Sequence, residues 1–160
     1  SRIDPLTNVM NRRSIANQLE QLHQQRKALY SVVLLDLDHF KNINDQFGHS
    51  MGDQVLVNVA KCLANNLRDR DMIGRFGGEE FILLLPNTTT EQAQHVAERC
   101  RIALTELNFV YEQQPFSISA SFGISSSQNA SEPQQIIRQA DQALYAVKTA
   151  GRNQVQIYCK

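Results

Sequence analysis

The chain has 160 residues, 42% hydrophobic and 20% charged, the size and mix of one folded domain with enough apolar side chains for a core. Sixteen Lys and Arg balance sixteen Asp and Glu, so the net charge is zero. The basic excess of a duplex-binding protein is therefore missing, whereas a small anionic ligand, which needs only a few cations, stays open. No apolar run approaches the ~18 residues of a membrane span, and no signal peptide opens the chain. Cys62, Cys100 and Cys159 are odd in number, widely spaced and without a CxxC pair. That pattern argues against a disulfide framework or a zinc site and for a reducing, cytoplasmic setting.

In chain order, Ile15, Leu19 and Leu22 recur at helical spacing and predict a first helix. Ser31 to Asp38 is a continuous apolar run ending in acid, the pattern of a central strand buried on both faces. A short helical turn is expected after His39, and Leu56, Val59, Leu63 and Leu67 predict a second long helix. Met72–Phe76 and Glu79–Leu85 are joined by Gly77-Gly78, a hairpin signal. Thr88-x-x-Glu91 reads as a capping box ahead of a helix carrying Ala93, Val96, Cys100, Leu104 and Leu107. Phe116, Ile118, Ala120, Phe122 and Ile124 alternate with small polar residues, predicting a half-buried strand. The last helix carries Ile137, Ala140, Leu144 and Val147, starts near Ser131 and stops at Gly151, and Val155, Ile157 and Cys159 suggest an edge strand. The order predicts one α/β layer domain over residues 1–160, with a mixed central sheet and helices on its faces. Its opening, Ser1-Arg2-Ile3-Asp4, reads as that of a fragment excised from a longer protein.

Asp36 and Asp38, two residues apart, leave one face at the strand end where open α/β sheets keep their ligands. Alone they read as solvated charges. In Gly77-Gly78-Glu79-Glu80-Phe81, however, two more acids follow a tight glycine turn, and adjacent carboxylates repel unless a cation or proton intervenes. With the hairpin beside the first strand, up to four carboxylates converge on hard-ligand chemistry suited to Mg²⁺ with substrate phosphates. Lys41, Lys148 and Arg152 are the nearby cations, although Lys148 and Arg152 alone read as complements to a helix dipole. No P-loop and no GxGxxG after a strand occurs. His23 and His95 fall in amphipathic helices and read as plain surface residues.

With these residues in view, the sequence resembles the GGDEF-domain diguanylate cyclases along nearly its whole length. The likeness rests on Asp4-Pro5-Leu6-Thr7 with Asn11-Arg12-Arg13, on Asp36-Leu37-Asp38-His39-Phe40-Lys41, and on Asn44-Asp45 with Phe47-Gly48-His49. It continues through Gly52-Asp53, the GGEEF form of the signature, Ala140-Asp141 with Ala143-Leu144-Tyr145, Lys148 and Gly151-Arg152-Asn153. Members have a nucleotide-cyclase sheet related to the ferredoxin-like polymerase palm and join two GTP into cyclic di-GMP, releasing two pyrophosphates. The resemblance implies a Mg²⁺ site (Mn²⁺ as an alternative) of Asp36, the Leu37 carbonyl, Glu79 and Glu80, with Asp36 and the two glutamates as the catalytic acids. It implies Asn44 and Asp53 on guanine with His49 beside them, and Phe40, Lys41, Lys148 and Arg152 at the rest of the substrate. It implies a homodimer with one GTP per half-site, no nucleic-acid polymer and no membrane contact by the domain, although a parent protein could be membrane-anchored.

Arg68-x-x-Asp71, read as the end of the second helix, resembles the family's product-binding inhibitory motif, with Arg99 as its helper. Asn8-Val9 stands where members often have Gly-Leu, at the entry turn. The rival readings are a GGDEF domain that only binds GTP or product, a cyclase closing one nucleotide on itself, and a structural dimerisation module. The intact signature speaks against the first, Asn44 and Asp53 with the family match against the second, and the four acids against the third.

Overall fold

The structure, a computed structural model, describes residues 1–25 and 28–160. A five-stranded sheet runs in the order β2 (Met72–Gly77), β3 (Glu80–Pro86), β1 (Tyr30–Leu37), β6 (Ala120–Ser126), β7 (Val155–Ile157). It is mixed because β6 and β7 pair in parallel while every other pair is antiparallel. One face packs Val33, Leu35, Phe81, Leu83, Phe122 and Ile124 against α3 (His49–Asn65) and α4 (Thr90–Thr105). The other packs Val32, Leu34, Ile82 and Leu84 against α1 (Arg12–Gln24) and α5 (Pro133–Thr149). The central strand is thus covered on both faces, as its unbroken apolar run requires. Among the described residues, no helix is long and apolar enough to cross a membrane.

Several expectations shift. The turn after His39 is a full helix, α2 (Phe40–Phe47), and a small hairpin of β4 (Phe109–Tyr111) and β5 (Gln114–Phe116) precedes β6. That hairpin is held by Phe116, whose ring stacks on Phe47 at 4.3 Å and lies 5.4 Å from Phe109. Strand β6 is buried along its whole length. Its alternating Ser121, Gly123 and Ser125 face α5 rather than water, because small residues let the helix lie on the strand's backbone. The capping box of α4 is Thr89 with Gln92, not Thr88 with Glu91. Thr88 is buried and its hydroxyl already serves the Pro86 carbonyl and Arg68. Helix α5 starts at Pro133, a residue suited to the first helical position.

Arg68–Asp71 follows α3 in the turn to β2 instead of ending the helix. His23 is no plain surface residue: its ring nitrogens meet the Tyr30 hydroxyl at 2.6 Å and the Ser131 carbonyl at 2.8 Å. A carbonyl only accepts, so Nε2 carries the proton and Nδ1 accepts from Tyr30. Burial, then the charge of Glu20, pushes that tyrosine's pKa up to about 12. Asn8 takes φ 64°, the left-handed conformation that Asn tolerates best after Gly, which accounts for Asn at that entry turn.

A Cβ at Gly123 would lie 2.2 Å from the Ala140 carbonyl oxygen and 2.4 Å from the Leu144 nitrogen, both backbone. Gly123→Ala should therefore prise α5 from β6 and cost about 2 kcal/mol or more, read as a lower urea midpoint at unchanged m-value.

Candidate functional site

Both hydrophobic layers give way at the C-terminal end of β1. Asp36 is opposite Glu80 in the β1–β3 register, and the Leu37 amide donates to the Glu79 carbonyl at 3.3 Å. The Gly77-Gly78 turn thus delivers both signature acids beside the strand end. His39 then adopts φ 56° and turns the chain into α2 with no side-chain cap, leaving the first amides of that helix free for an anion. Around this corner lies a cavity of about 240 Å³ lined by Asp36, Leu37, Asp38, His39, Phe40, Lys41, Asn42, Glu79, Lys148 and Arg152.

Within it, Lys148 Nζ donates to Asp36 Oδ2 at 2.6 Å across from α5. Arg152 enters from the turn after α5, and Lys41, on the exposed side, pairs with Asp45 at 3.3 Å. Glu80 is partly buried, and its pKa is raised by that burial and then by the charges of Asp36 and Asp141, against the opposing pull of Lys148 and Arg12. Arg12 lies with its guanidinium carbon 4.1 Å from the Phe76 ring centroid and donates to the Phe76 carbonyl at 2.8 Å. Sequence reasoning gave Arg12 and Asp141 no role; only their approach to Glu80 reveals one.

Of the four carboxylates expected to converge, Asp36, Asp38 and Glu79 line this one cavity and Glu80 is opposite Asp36 in the register. Asp38 is 6% exposed, and its two oxygens accept from Ser119 Oγ at 2.6 Å, Ser121 Oγ at 2.7 Å and the Asn153 amide at 3.1 Å. Those bonds tie it to the start of β6 and to the turn after α5, although it also lines the cavity. Among the described residues, no three His, Cys, Asp or Glu side chains gather at metal-holding distance. The cavity offers Asp36, Glu79 and the hydrogen-bonded Asp38, with Glu80 alongside. An oxygen-only set of this size fits Mg²⁺ held jointly with substrate phosphates rather than a closed protein cage.

Asn44, His49 and Asp53 are outside this cavity, at the corner where α2 passes into α3. Gly52 is what admits Asn44 there: a Cβ on Gly52 would fall 1.9 Å from Asn44 Oδ1 and 3.3 Å from Phe40 Cζ. Buried Phe40 connects the corner to the cavity.

On the far side, a cavity of about 500 Å³ is lined by Arg68, Arg70, Asn87, Thr88, Gln92, Val96 and Arg99. Arg68 donates to Asp71 Oδ1 at 2.8 Å, to Thr88 Oγ1 at 2.8 Å and to the Pro86 carbonyl at 3.1 Å. Asp71, with a side chain 1% exposed, is spent on that pairing and does not line the cavity. Arg99 donates to the Asn66 carbonyl at 2.6 Å. Arg70 completes the basic wall, a position the sequence showed only as part of a charge run.

The sequence matches the family described as "Diguanylate cyclase, GGDEF domain" over residues 1–154. It is 42% identical over 158 residues to Diguanylate cyclase DgcP of Pseudomonas aeruginosa, covering 96% of this chain and 23% of that protein. Among solved structures, it resembles the GGDEF domain of DgcB from Caulobacter crescentus in complex with c-di-GMP, with a TM-score of 0.94 and 28% identity over 99% of this chain and 96% of that one. It also resembles the active GGEEF domain of a diguanylate cyclase from Vibrio cholerae, with a TM-score of 0.85 and 40% identity over 94% of this chain and 97% of that one. The chain spans 23–36% of the length of the curated relatives DgcP, DgcT and Diguanylate cyclase A.

The raised pKa of Glu80 has a consequence for stability. The folded protein holds that proton more tightly than the unfolded chain, so Glu80 lowers stability as the pH rises through its titration. In metal-free buffer, Glu80→Gln should raise Tm near neutral pH, and the gain should vanish as acidification neutralises the wild-type carboxyl. A Tm gain of equal size at every pH would contradict the charge-crowding account.

Proposed function

The chain belongs to the GGDEF-domain family of diguanylate cyclases, and on that premise we propose that it condenses two GTP into cyclic di-GMP and two pyrophosphates. The observation carrying this reading is the cavity at the end of β1, where acids, cations and an uncapped helix N-terminus meet. The free amides of α2, with Lys148, Arg152 and Lys41, bind the triphosphate. Asp36, the Leu37 carbonyl, Glu79 and Glu80 would hold Mg²⁺, or Mn²⁺, which when bound neutralises charge on the phosphates and acidifies a nearby hydroxyl. Lys148, hydrogen-bonded to Asp36 at 2.6 Å, is the cation within reach of both that carboxylate and the phosphates. Asn44 and Asp53 read the guanine edge beside His49, and Gly52 leaves Asn44 the room to do so.

In the reaction, each 3′-oxygen attacks the α-phosphorus of the other GTP and displaces pyrophosphate. Glu79 and Glu80 are the candidates to take the 3′-hydroxyl proton. One such cavity serves one nucleotide, so the reaction needs two copies of the domain face to face, and their alignment supplies much of the rate.

Incubation with GTP and Mg²⁺ should yield cyclic di-GMP. Asp36→Asn or Glu80→Gln should abolish turnover with the fold intact, and ATP should be turned over about 10⁴-fold more slowly, since a site built for one hydrogen-bonding edge rejects another. Specific activity should climb with enzyme concentration. A flat dilution series from a monomer would overturn the shared-site mechanism, and comparable ATP and GTP rates the guanine assignment.

The basic cavity beyond α3 supports a second element of the reading, feedback inhibition by cyclic di-GMP. Its phosphates suit Arg70, Arg99 and the exposed edge of Arg68, whose forked donors match phosphate oxygens. Arg99→Ala should relieve inhibition with little change in initial rate. Arg68→Ala should relieve it too, but should also lower Tm, because it leaves Asp71 buried without its partner. Inhibition curves identical to wild type in both variants would leave this cavity without a regulatory role.

A further inference from the structure

Arg152 reaches the phosphate cavity from a turn in which Gly151, Arg152 and Asn153 all have positive φ, of 117°, 66° and 50°. Two successive non-glycine residues in the left-handed region persist only where the surroundings hold them there. The Arg152 amide donates to the Val147 carbonyl at 2.9 Å, closing α5. Gln154 Nε2 donates to the Arg152 carbonyl at 3.2 Å, and Arg152 Nη1 itself donates to the Lys148 carbonyl at 3.4 Å. The bonds that reach this turn from distant segments act on Asn153. Its amide donates to Asp38 Oδ2 at 3.1 Å and to Ser121 Oγ at 3.2 Å, while Ser121 in turn donates to Asp38 Oδ1 at 2.7 Å. Its side-chain oxygen accepts from Arg101 Nη1 at 3.0 Å, a residue on α4 whose guanidinium is itself oriented by Glu98. The backbone one residue past Arg152 is thus gripped from the sheet by a buried carboxylate and from α4 by an arginine.

We infer that Asp38, Asn153 and Arg101 are positioning residues for Arg152, holding its backbone so that the guanidinium is already aimed at the nucleotide's phosphates before the nucleotide arrives. This rests on reading the cavity at the end of β1 as the GTP site. It gives Asp38 a role that metal binding does not supply, because its two acceptor oxygens receive two serine hydroxyls and a backbone amide together. It also assigns a role to Arg101, which is remote from the cavity lining. Without the grip, the turn relaxes toward ordinary conformations, and binding GTP has to restore the strained one, so the loss falls on affinity and not on chemistry.

The test measures the GTP dissociation constant, KM and kcat for wild type, Arg101→Ala, Asn153→Ala, Asn153→Asp and Arg152→Ala. Arg101→Ala and Asn153→Ala should raise the dissociation constant and KM about tenfold, the scale of one hydrogen bond to a charged group. Turnover at saturating GTP should stay within about twofold of wild type. Asn153→Asp, which keeps an acceptor for Arg101 and tolerates the left-handed conformation, should restore wild-type affinity. In the Arg152→Ala background, Arg101→Ala should add nothing, since both act through the same guanidinium.

Amide hydrogen exchange supplies a readout that needs no nucleotide: the Asn153 amide should exchange faster in Arg101→Ala, with the core amides of β1 unchanged. Undiminished affinity in Arg101→Ala, or an equal loss in the Arg152→Ala background, would overturn the inference. If Arg152→Ala itself binds GTP like wild type, it is the reading of the cavity that falls, whatever Arg101 does.

Discussion

Strand β1 is covered on both faces from Tyr30 to Leu35, so its side chains there are apolar apart from Ser31, whose hydroxyl donates to the Thr88 carbonyl, and a charged side chain first appears at Asp36. That limit fixes where polar chemistry can begin in this molecule. Its two neighbours, β3 and β6, are antiparallel to it, so the start of each comes to the same end of the sheet. The signature turn precedes β3, Ser119 and Ser121 lie at the start of β6, and α2 leaves directly from β1. The last helix packs closely on β6 at Gly123 and contributes Lys148, and the turn after it contributes Arg152. The cavity is a by-product of one buried strand ending.

Carboxylates brought together at such an end need partners, and each here has a different kind. Asp36 has Lys148; Asp38 has hydroxyls and an amide; Glu80, which among the described residues has no hydrogen-bonded cation, has its pKa raised by burial and by the charges of Asp36 and Asp141. Three acids of one corner thus meet three different environments, which is how a crowded acid site remains compatible with folding. The N-terminal segment joins this balance through Arg75. That side chain donates to Asp4 at 3.2 Å and to the Gly78 carbonyl at 3.0 Å, tying the entry turn to the turn that carries the signature acids.

The helices α1, α3, α4 and α5 and the strands β1, β2, β3 and β7 were legible because each buries a regular set of apolar side chains, and burial periodicity is a local signal. The elements that escaped are those whose signal is elsewhere. The β4–β5 hairpin is fastened by Phe47, over sixty residues earlier in the chain, and Ser125 of β6 reads as solvent-facing until α5 is laid on it. His23 looked like a surface residue because its partners, Tyr30 and Ser131, come from other elements.

The same division runs through the site. The sequence by itself determined the types of group present and, through its likeness to a family, the grouping of Asp36, Glu79, Glu80, Lys148 and Arg152, and the structure places Asp36, Glu79, Lys148 and Arg152 on one cavity. Spacing put Asp38 beside Asp36 at the strand end, and both line the cavity, but parity along a strand says which side a residue leaves and not what it meets there. Only the tertiary structure decided that Asp38 is held by Ser119, Ser121 and Asn153, that Asp71 is spent on Arg68, and that Arg101 reaches across to Asn153. The physical reason is that a charge's role is set by its partners, and these partners are brought within reach by packing between segments that the chain itself keeps far apart.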